Sequence, residues 1–447
     1  MASAAEQLAA NLNFGAFAKA TELKKRIWFT LAALVVYRLG THIPLPGIDA
    51  LVLAEVFKSN AGGILGMFDM FAGGALRRMT IFALNIMPYI SASIIMQLLT
   101  AVSPTLEQLK KEGEAGRKKI NQYTRYGTVL LAAVQAYGIA VGLESMSTGA
   151  GGAVAAPGLA FRFTTVVTLT GGTIFLMWLG EQITARGVGN GISLIIFSGI
   201  VANLPIGLVQ TLDLGRKGAL STFFIILLLA MAIAVVTFIV FMERAQRRII
   251  IQYPKRQIGN KLFGGESSHL PLKLNSAGVI PPIFASSLLL LPLTVAGFSA
   301  TGPASGWLGA ITANLGHGQP LYMLAYVSLI VFFAFFYTAI VVNPNDTADN
   351  LKRHGGFIPG IRPGKNTAEY VDHVLTRLTV IGSAYLAAVC LLPEILVSRY
   401  SVPFYFGGTS LLIVVSVTMD TVAQIHSHLL AHQYEGLVKK AKLRGRR

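Results

Sequence analysis

Apolar residues in this chain run in long, nearly unbroken blocks rather than in alternation or in one-faced helical stripes. A block of about 20 such residues is what a helix needs to cross a bilayer. Ten candidates meet that length: residues 27–43, 79–102, 123–142, 163–183, 192–212, 220–242, 277–298, 321–342, 375–396 and 406–425. The pattern predicts an all-α integral membrane protein with ten transmembrane helices. The first block begins late and is followed by THIPLPG (41–47) rather than by a small-residue cleavage motif, so it reads as a span and not a removable signal. Residues 1–26 read as an amphipathic lead-in on the cytoplasmic side. Phe14, Phe17 and Leu23 supply its apolar face, and Lys24, Lys25 and Arg26 lie at the membrane edge.

Three segments interrupt the blocks. Residues 64–74 (ILGMFDMFAGG) are apolar but too short to span, and they lie between Gly62-Gly63 and Gly73-Gly74. A short apolar helix between glycine hinges predicts a re-entrant element shielded by protein or water, with an interfacial loop helix as the alternative. Two loops, 243–275 and 343–374, each exceed thirty residues, too many for plain connectors. The second carries GGFIPGIRPG (355–364), where Gly and Pro fix turns.

The second and seventh blocks share a signature. Ile86-Met87-Pro88-Tyr89-Ile90-Ser91-Ala92-Ser93 aligns with Val279-Ile280-Pro281-Pro282-Ile283-Phe284-Ala285-Ser286, with four identities. Blocks five apart in a chain of ten imply two halves of opposite membrane orientation, an inverted repeat with its functional axis between them. The division is 27–212, including 64–74, and 213–425, including both long loops; a basic tail, 426–447, follows. Pro inside a span predicts local weakening of the helix. The small residues beside it permit close approach of a second helix. Ordinary helix packing is the plainer reading of the same residues.

Charge sharpens the picture. Only 13% of residues are charged, against roughly 25% in globular proteins, yet the net charge is +17. A soluble nucleic-acid-binding domain would account for the charge but not for 53% hydrophobic content. When alternate loops are assigned to alternate sides, 29 of the 37 basic residues fall on one side and 7 on the other. Arg38 remains inside the first span. Such a bias puts both termini in the cytoplasm. The basic face suits an acidic partner such as ribosomal RNA, or a protein docking by charge.

The chemistry the spans lack is equally informative. None of the carboxylates or His residues falls in the middle of a block, which disfavours an ion-coupled secondary transporter, the runner-up reading. A scaffold that docks ribosomes without conducting is the third. Gly187-Val188-Gly189-Asn190-Gly191 is glycine-rich, but it joins two spans with no strand before it. His428 and His432 are one helical turn apart with no carboxylate beside them. Cys390 is the single cysteine, so no intramolecular disulfide can form. No cofactor, metal or catalytic residue is expected. A passive conduit remains, and a narrow ring of branched aliphatics can seal it against ions by dewetting.

The chain resembles the bacterial SecY family, the channel subunits of the Sec protein translocase. The resemblance is carried, in order, by IPLPGID (43–49), FALNIMPYISASI (82–94), KKEGEAGRKKINQYTRYGT (110–128), FLMWLGEQITARGVGNGIS (175–193), SSHLPLK (267–273), TADNLKRHGGFIPGIRPG (347–364) and VPFYFGGTSLLIVV (402–415). It implies a channel that moves unfolded preproteins across the bacterial cytoplasmic membrane and releases membrane helices sideways into lipid. It makes 64–74 part of the closing plug, with Ile64, Leu65, Met67, Phe68, Met70 and Phe71 as its apolar residues. The pore ring would be Ile86, Ile90, Ile192, Ile196, Ile283 and Ile413. The lateral gate between the second and seventh spans would include Pro88, Ser91, Gln97, Pro281, Ser286 and Ser287. Arg362, joined by Lys255, Arg256, Lys352 and Arg353, would dock the SecA motor and the ribosome. Signal sequences and preproteins would be the cargo, lipid the gate's surroundings, and SecE and SecG the membrane partners. The chain departs from the family's common pattern at Asn85, for a usual Gly, at Pro254, for a usual small residue, and at Pro282, for a usual Ala.

Overall fold

In the computed structural model the described residues are 21–49, 52–53, 72–145, 147–148, 151–152, 154–218, 221–253, 256–258, 261–263, 267–298, 319–400 and 408–444. The helices are α1 (Thr21–Gly40), α2 (Met87–Val102), α3 (Pro104–Lys111), α4 (Glu114–Ser145), α5 (Leu159–Arg186), α6 (Gly191–Arg216), α7 (Thr222–Arg244), α8 (Ile280–Phe298), α9 (Pro320–Val341), α10 (Pro344–Arg353), α11 (Lys365–Tyr400) and α12 (Gly408–Arg444). Short strands are β1 (Ser147–Thr148), β2 (Gly151–Gly152), β3 (Gln246–Gln252), β4 (Arg256–Ile258), β5 (Lys261–Phe263) and β6 (Ser267–Lys273).

Seven of these helices are long and apolar enough to cross a membrane unaided, and the pair α2–α3, bent by 98°, forms one more candidate. With α1 and α8 they match the ten apolar blocks one for one. α1 carries Lys24, Lys25, Arg26 and Arg38, which dilute its hydropathy. The chain is therefore an all-α membrane protein with short β-hairpins in its loops.

The helix of the second span starts later than its apolar block. Residues 72–86 are a succession of turns closed by amides bonding carbonyls three residues back, as in Met79 to Leu76 (2.9 Å), Ala83 to Thr80 (2.9 Å) and Asn85 to Phe82 (2.9 Å). Met79 and Asn85 have positive φ, 44° and 50°. Pro88 therefore sits in the first turn of α2, where an amide would have no helical partner anyway, and starts the helix rather than kinking it. Pro281 and Pro282 hold the same place in α8.

Backbone proximity divides the chain into two units. The first comprises residues 1–92, 124–205 and 417–447. In it α1 packs on α5. Ala132, Ala136 and Ala140 recur every four residues along α4 and are fully buried, a small-residue face that lets neighbours approach. They share one core with Leu45, Leu76, Met79 and Leu169. The turn segment is stitched to the loop after α1: Leu45 donates to Met79 (2.9 Å) and Ile81 to Ile43 (3.1 Å). Phe82 stacks between Tyr37 of α1 and Phe175 of α5, with ring centroids 6.1 and 5.8 Å away.

The second unit comprises 93–123 and 206–416. Here α9 packs against α8 and α11. Phe284 meets Phe333 edge-on at 5.6 Å. The loop expected at 243–275 is a β-hairpin, with β3 and β6 paired from Gln246 with Lys273 to Gln252 with Ser267. Residues of β3 alternate toward a core, with Ile249 and Ile251 buried and Arg248 and Ile250 exposed. α10 opens with Asn343 capping the amide of Asn345 (3.0 Å) and Pro344 in the first turn.

Candidate functional site

The candidate residues fall on two apolar helix starts and one cationic platform. The helix starts are those of α2 and α8. Each follows a residue in the left-handed region three positions before its proline, Asn85 (φ 50°) before Pro88 and Gly278 (φ 62°) before Pro281. Such a residue turns the chain sharply, and Gly and Asn tolerate it best. Asn85 thus stands where the aligned segment has Gly278, and the left-handed conformation suits both residue types. The eight-residue likeness between the two spans therefore extends to backbone geometry.

Ile86 and Ile90 lie one turn apart at the start of α2, and the Ile90 amide bonds the Ile86 carbonyl (3.1 Å). Both are buried, Ile86 completely. Ile192 and Ile196 share one face of α6 by the same spacing, the first half-buried and the second buried. Ile413 on α12 is buried, and Ile283, in the first turn of α8, is half-buried. Ile86, Ile90, Ile192 and Ile196 belong to the first unit, Ile283 and Ile413 to the second. Residues Ile64, Leu65, Met67, Phe68, Met70 and Phe71 lie outside the described residues.

Of the gate candidates, Pro88, Ser91, Pro281, Ser286 and Ser287 are buried and Gln97 is half-buried. Ser286 returns its hydroxyl to the Ile283 carbonyl (2.9 Å), and the Gln97 amide donates to Ser93 (3.2 Å). The Ser287 hydroxyl and the Gln97 carbonyl oxygen have no hydrogen-bond partner among the described residues. A buried polar atom left so costs about 1–3 kcal/mol, so both helices carry groups that a polar partner would satisfy.

The cationic platform belongs to the second unit. The two long loops, unrelated in sequence, are one folded body. Gln252 at the end of β3 and Phe357 exchange both backbone hydrogen bonds, at 2.9 and 3.0 Å. Beneath that pair Ile249 and Leu272 from the hairpin pack with Ile358, Val371, Leu375 and Leu378. Ile358 anchors a turn in which the Ile361 amide bonds its carbonyl (3.0 Å), and the Arg362 carbonyl accepts from Thr367 (3.0 Å). Arg362 is held exposed on this rigid turn. Lys352 and Arg353 are exposed in the last turn of α10, where a cation complements the helix dipole. Arg256 opens β4, and Lys255 lies outside the described residues.

Sequence reasoning passed over Arg247 and Arg248, which are exposed on β3 of the same body. The polar-then-apolar run QRRIIIQ was the signal of a strand edge that could have found them. Most amides of the glycine-rich turn 187–191 are already committed within the protein. Val188 donates to Thr30 (3.0 Å), Gly189 to Gln424 (2.8 Å) and Gly191 to Thr184 (2.9 Å), while Asn190 caps Ile192 (3.1 Å). It is a splice joining α1, α5, α6 and α12. Among the described residues no three His, Cys, Asp or Glu side chains gather where they could hold a metal ion.

Comparison with known proteins places this arrangement. The SecY family model matches residues 80–422. The protein translocase subunit SecY of Escherichia coli K12 is 57% identical over 424 residues, covering 95% of this chain and 96% of the relative. Among solved structures, one described as a protein conducting channel superposes with a TM-score of 0.67 at 21% identity, covering 91% of this chain and 92% of that one. Sec61 in the canine ribosome–channel complex of the endoplasmic reticulum superposes with a TM-score of 0.63 at 18% identity, covering the same shares.

The left-handed turn at Asn85 is testable apart from function. Asn85→Val forces a β-branched residue to φ 50° and is expected to lower stability by about 1–2 kcal/mol. Asn85→Gly is expected to stay much closer to the parent protein. Thermal unfolding in detergent ranks the two, and equal losses would show that the backbone conformation is not what selects the residue.

Proposed function

The chain belongs to the SecY family, and from that premise we propose how its parts divide the work of a protein-conducting channel. It is a translocation channel subunit rather than an enzyme, and a multi-pass membrane protein. The alternative of a secondary transporter finds no support among its relatives.

In the proposed arrangement Ile86, Ile90, Ile192, Ile196, Ile283 and Ile413 form the constriction. Branched aliphatic side chains offer ions no ligands and dewet a narrow passage, yet they yield to any passing chain because they read no sequence. Residues 64–74 plug the closed state. The second and seventh spans form the lateral gate, with Pro88, Ser91, Gln97, Pro281, Ser286 and Ser287 along it. The paired turns at Asn85 and Gly278 support this reading, because they begin both helices in the same way. The halves 27–212 and 213–425 are read as the inverted repeats, between the lead-in 1–26 and the tail 426–447.

The observation that carries the docking assignment is the pairing of Gln252 with Phe357, which makes the two basic loops one platform. Arg362, Lys352, Arg353, Arg256 and Lys255 are its proposed contacts for the SecA motor and the translating ribosome. Charge complementarity with an acidic or RNA surface would steer that encounter. SecE and SecG are the expected membrane partners. The charge bias puts the platform and both termini in the cytoplasm, and the membrane is the bacterial inner membrane.

Arg362→Glu is expected to reduce motor-driven secretion into inverted vesicles about tenfold or more, with normal insertion and stability. Secretion at the parent rate would refute the docking role. Ile90→Gly, and deletion of 64–74, are each expected to raise resting ion conductance in planar bilayers; baseline conductance in both would remove the ring and the plug together. For the gate, Ser91→Cys combined with Ser287→Cys should cross-link without cargo, against a low background because Cys390 is buried. Absence of product here and at positions one turn away would rule the gate out.

A further inference from the structure

Arg38 is the one basic residue that the sequence leaves inside a span, where a charge persists only with a partner and a purpose. Its partner is unusual. The guanidinium Nη1 donates to the backbone carbonyl of Gly73 (2.9 Å) at the start of the turn segment 72–86. Gly73 has φ +65°, and a Cβ there would lie 2.9 Å from the Cα of Gly199 and 3.4 Å from Arg38 Nη1 itself. Gly73 is thus wedged between the arginine and the backbone of α6. Gly199 lies one turn beyond Ile196 on that helix, and the turn segment runs on into Ile86 and Ile90. A single residue therefore touches the element that carries one pair of the proposed ring and begins the element that carries the other. All these residues belong to the first unit.

The rest of the segment is fixed to the same end of α1. Phe82 stacks on Tyr37, the neighbour of Arg38, and Ile43 and Leu45 bond Ile81 and Met79. Arg78 reaches the Thr41 carbonyl at a longer 3.5 Å. The Arg38 bond differs from these because it is both charge-assisted and short, 2.9 Å against 3.5 Å for Arg78, and because the residue it holds meets Gly199 with no side chain between them.

We propose that Arg38 is a positioning residue for the channel's seal: by holding Gly73 against Gly199 it fixes the spacing between Ile86 and Ile90, at the start of α2, and Ile192 and Ile196 on α6. A hydrogen bond from a charged group, here part-buried, is strong enough to bias a closed–open equilibrium by about tenfold. The inference rests on the ring assignment, and Gly73 is also the penultimate residue of the proposed plug 64–74. It follows from neither, since a ring could be spaced by packing alone and a plug could close without Arg38.

The test is resting conductance in planar bilayers, with Ile90→Gly as reference, alongside membrane insertion and thermal stability of each variant. Arg38→Gln removes the donor. Gly73→Ala keeps the arginine but forces Gly73 away from Gly199. Each is expected to raise resting conductance about tenfold at parent-like insertion, and the double variant no further than either single, because both break the same contact. Arg38→Lys, which keeps one donor and the charge, is expected to leak less than Arg38→Gln; it and Gly73→Ala carry the test if Arg38→Gln does not insert. Parent conductance in Arg38→Gln and Gly73→Ala while Ile90→Gly leaks would overturn the positioning role and leave the ring standing. Leak from Arg38→Gln with none from Gly73→Ala would overturn it too, assigning the arginine to the end of α1 alone. Multiplying effects in the double variant would mean two separate contacts. A silent Ile90→Gly would remove the ring and this inference with it.

Discussion

The structure depends on one constraint: inside a bilayer no water is available to satisfy a backbone amide or carbonyl. Helices meet it internally, which is why this chain is nearly all helix. The turn segment 72–86 is the exception, and it is the part that leads into the proposed constriction. It survives because its groups are met one by one. Thr80 and Ala83 close turns within the segment, Met79 and Ile81 pair with the strand-like loop after α1, and the Gly73 carbonyl takes a guanidinium. Irregular backbone at membrane depth therefore brings an arginine into the span, since a carbonyl that has left the helical ladder needs a donor.

The same constraint explains the charge asymmetry. Ionised groups are tolerated where they pair or reach water. Arg125, a third of the way along α4, and Glu181, near the end of α5, pair through two parallel hydrogen bonds of 2.9 and 2.8 Å. Arg162 pairs with Glu144 at the opposite ends (2.6 Å). Eighteen of the 37 basic residues fall in or beside the tail, which continues α12, and the two long loops, where helices alone no longer set the geometry. There the chain changes building method: a β-hairpin and a Gly-Pro turn share one small apolar core. A hairpin alone is marginal in water. Packing β3 and β6 onto α11 through Ile249, Leu272, Val371 and Leu375 gives the platform rigidity, and rigidity lets exposed cations act together rather than as solvated charges.

Hydropathy made the spans legible, because twenty apolar residues in a row have few other uses. It could not show where α2 begins. Residues 79–86 are as apolar as 87–102, and a buried turn and a buried helix look alike when period is the only signal. The expectation that Pro88 and Pro281 weaken their spans locally had the same origin: the effect of a proline depends on whether it falls in a first turn or in mid-helix. The hairpin was missed because a few alternating residues inside a charged loop give a weak strand signal. In the glycine-rich turn 187–191 the amides of Val188, Gly189 and Gly191 are committed to Thr30, Gln424 and Thr184, which no sequence spacing reveals.

The repeat between the second and seventh spans carries a further lesson about where a seal can be built. A side chain at the start of a helix is placed more firmly by the turn before it than by the helix after it, because the first four amides have no helical partners. Putting a left-handed residue three positions before a proline fixes both the direction of the helix and the position of the isoleucine two residues beyond the proline. Ile90 and Ile283 occupy that place in their respective helices. Had the proposed constriction been set at mid-helix, its geometry would follow every bend of the span. In the proposed channel, helices that start at defined turns would tilt to admit a chain while the turns that place the isoleucines keep their own hydrogen bonds.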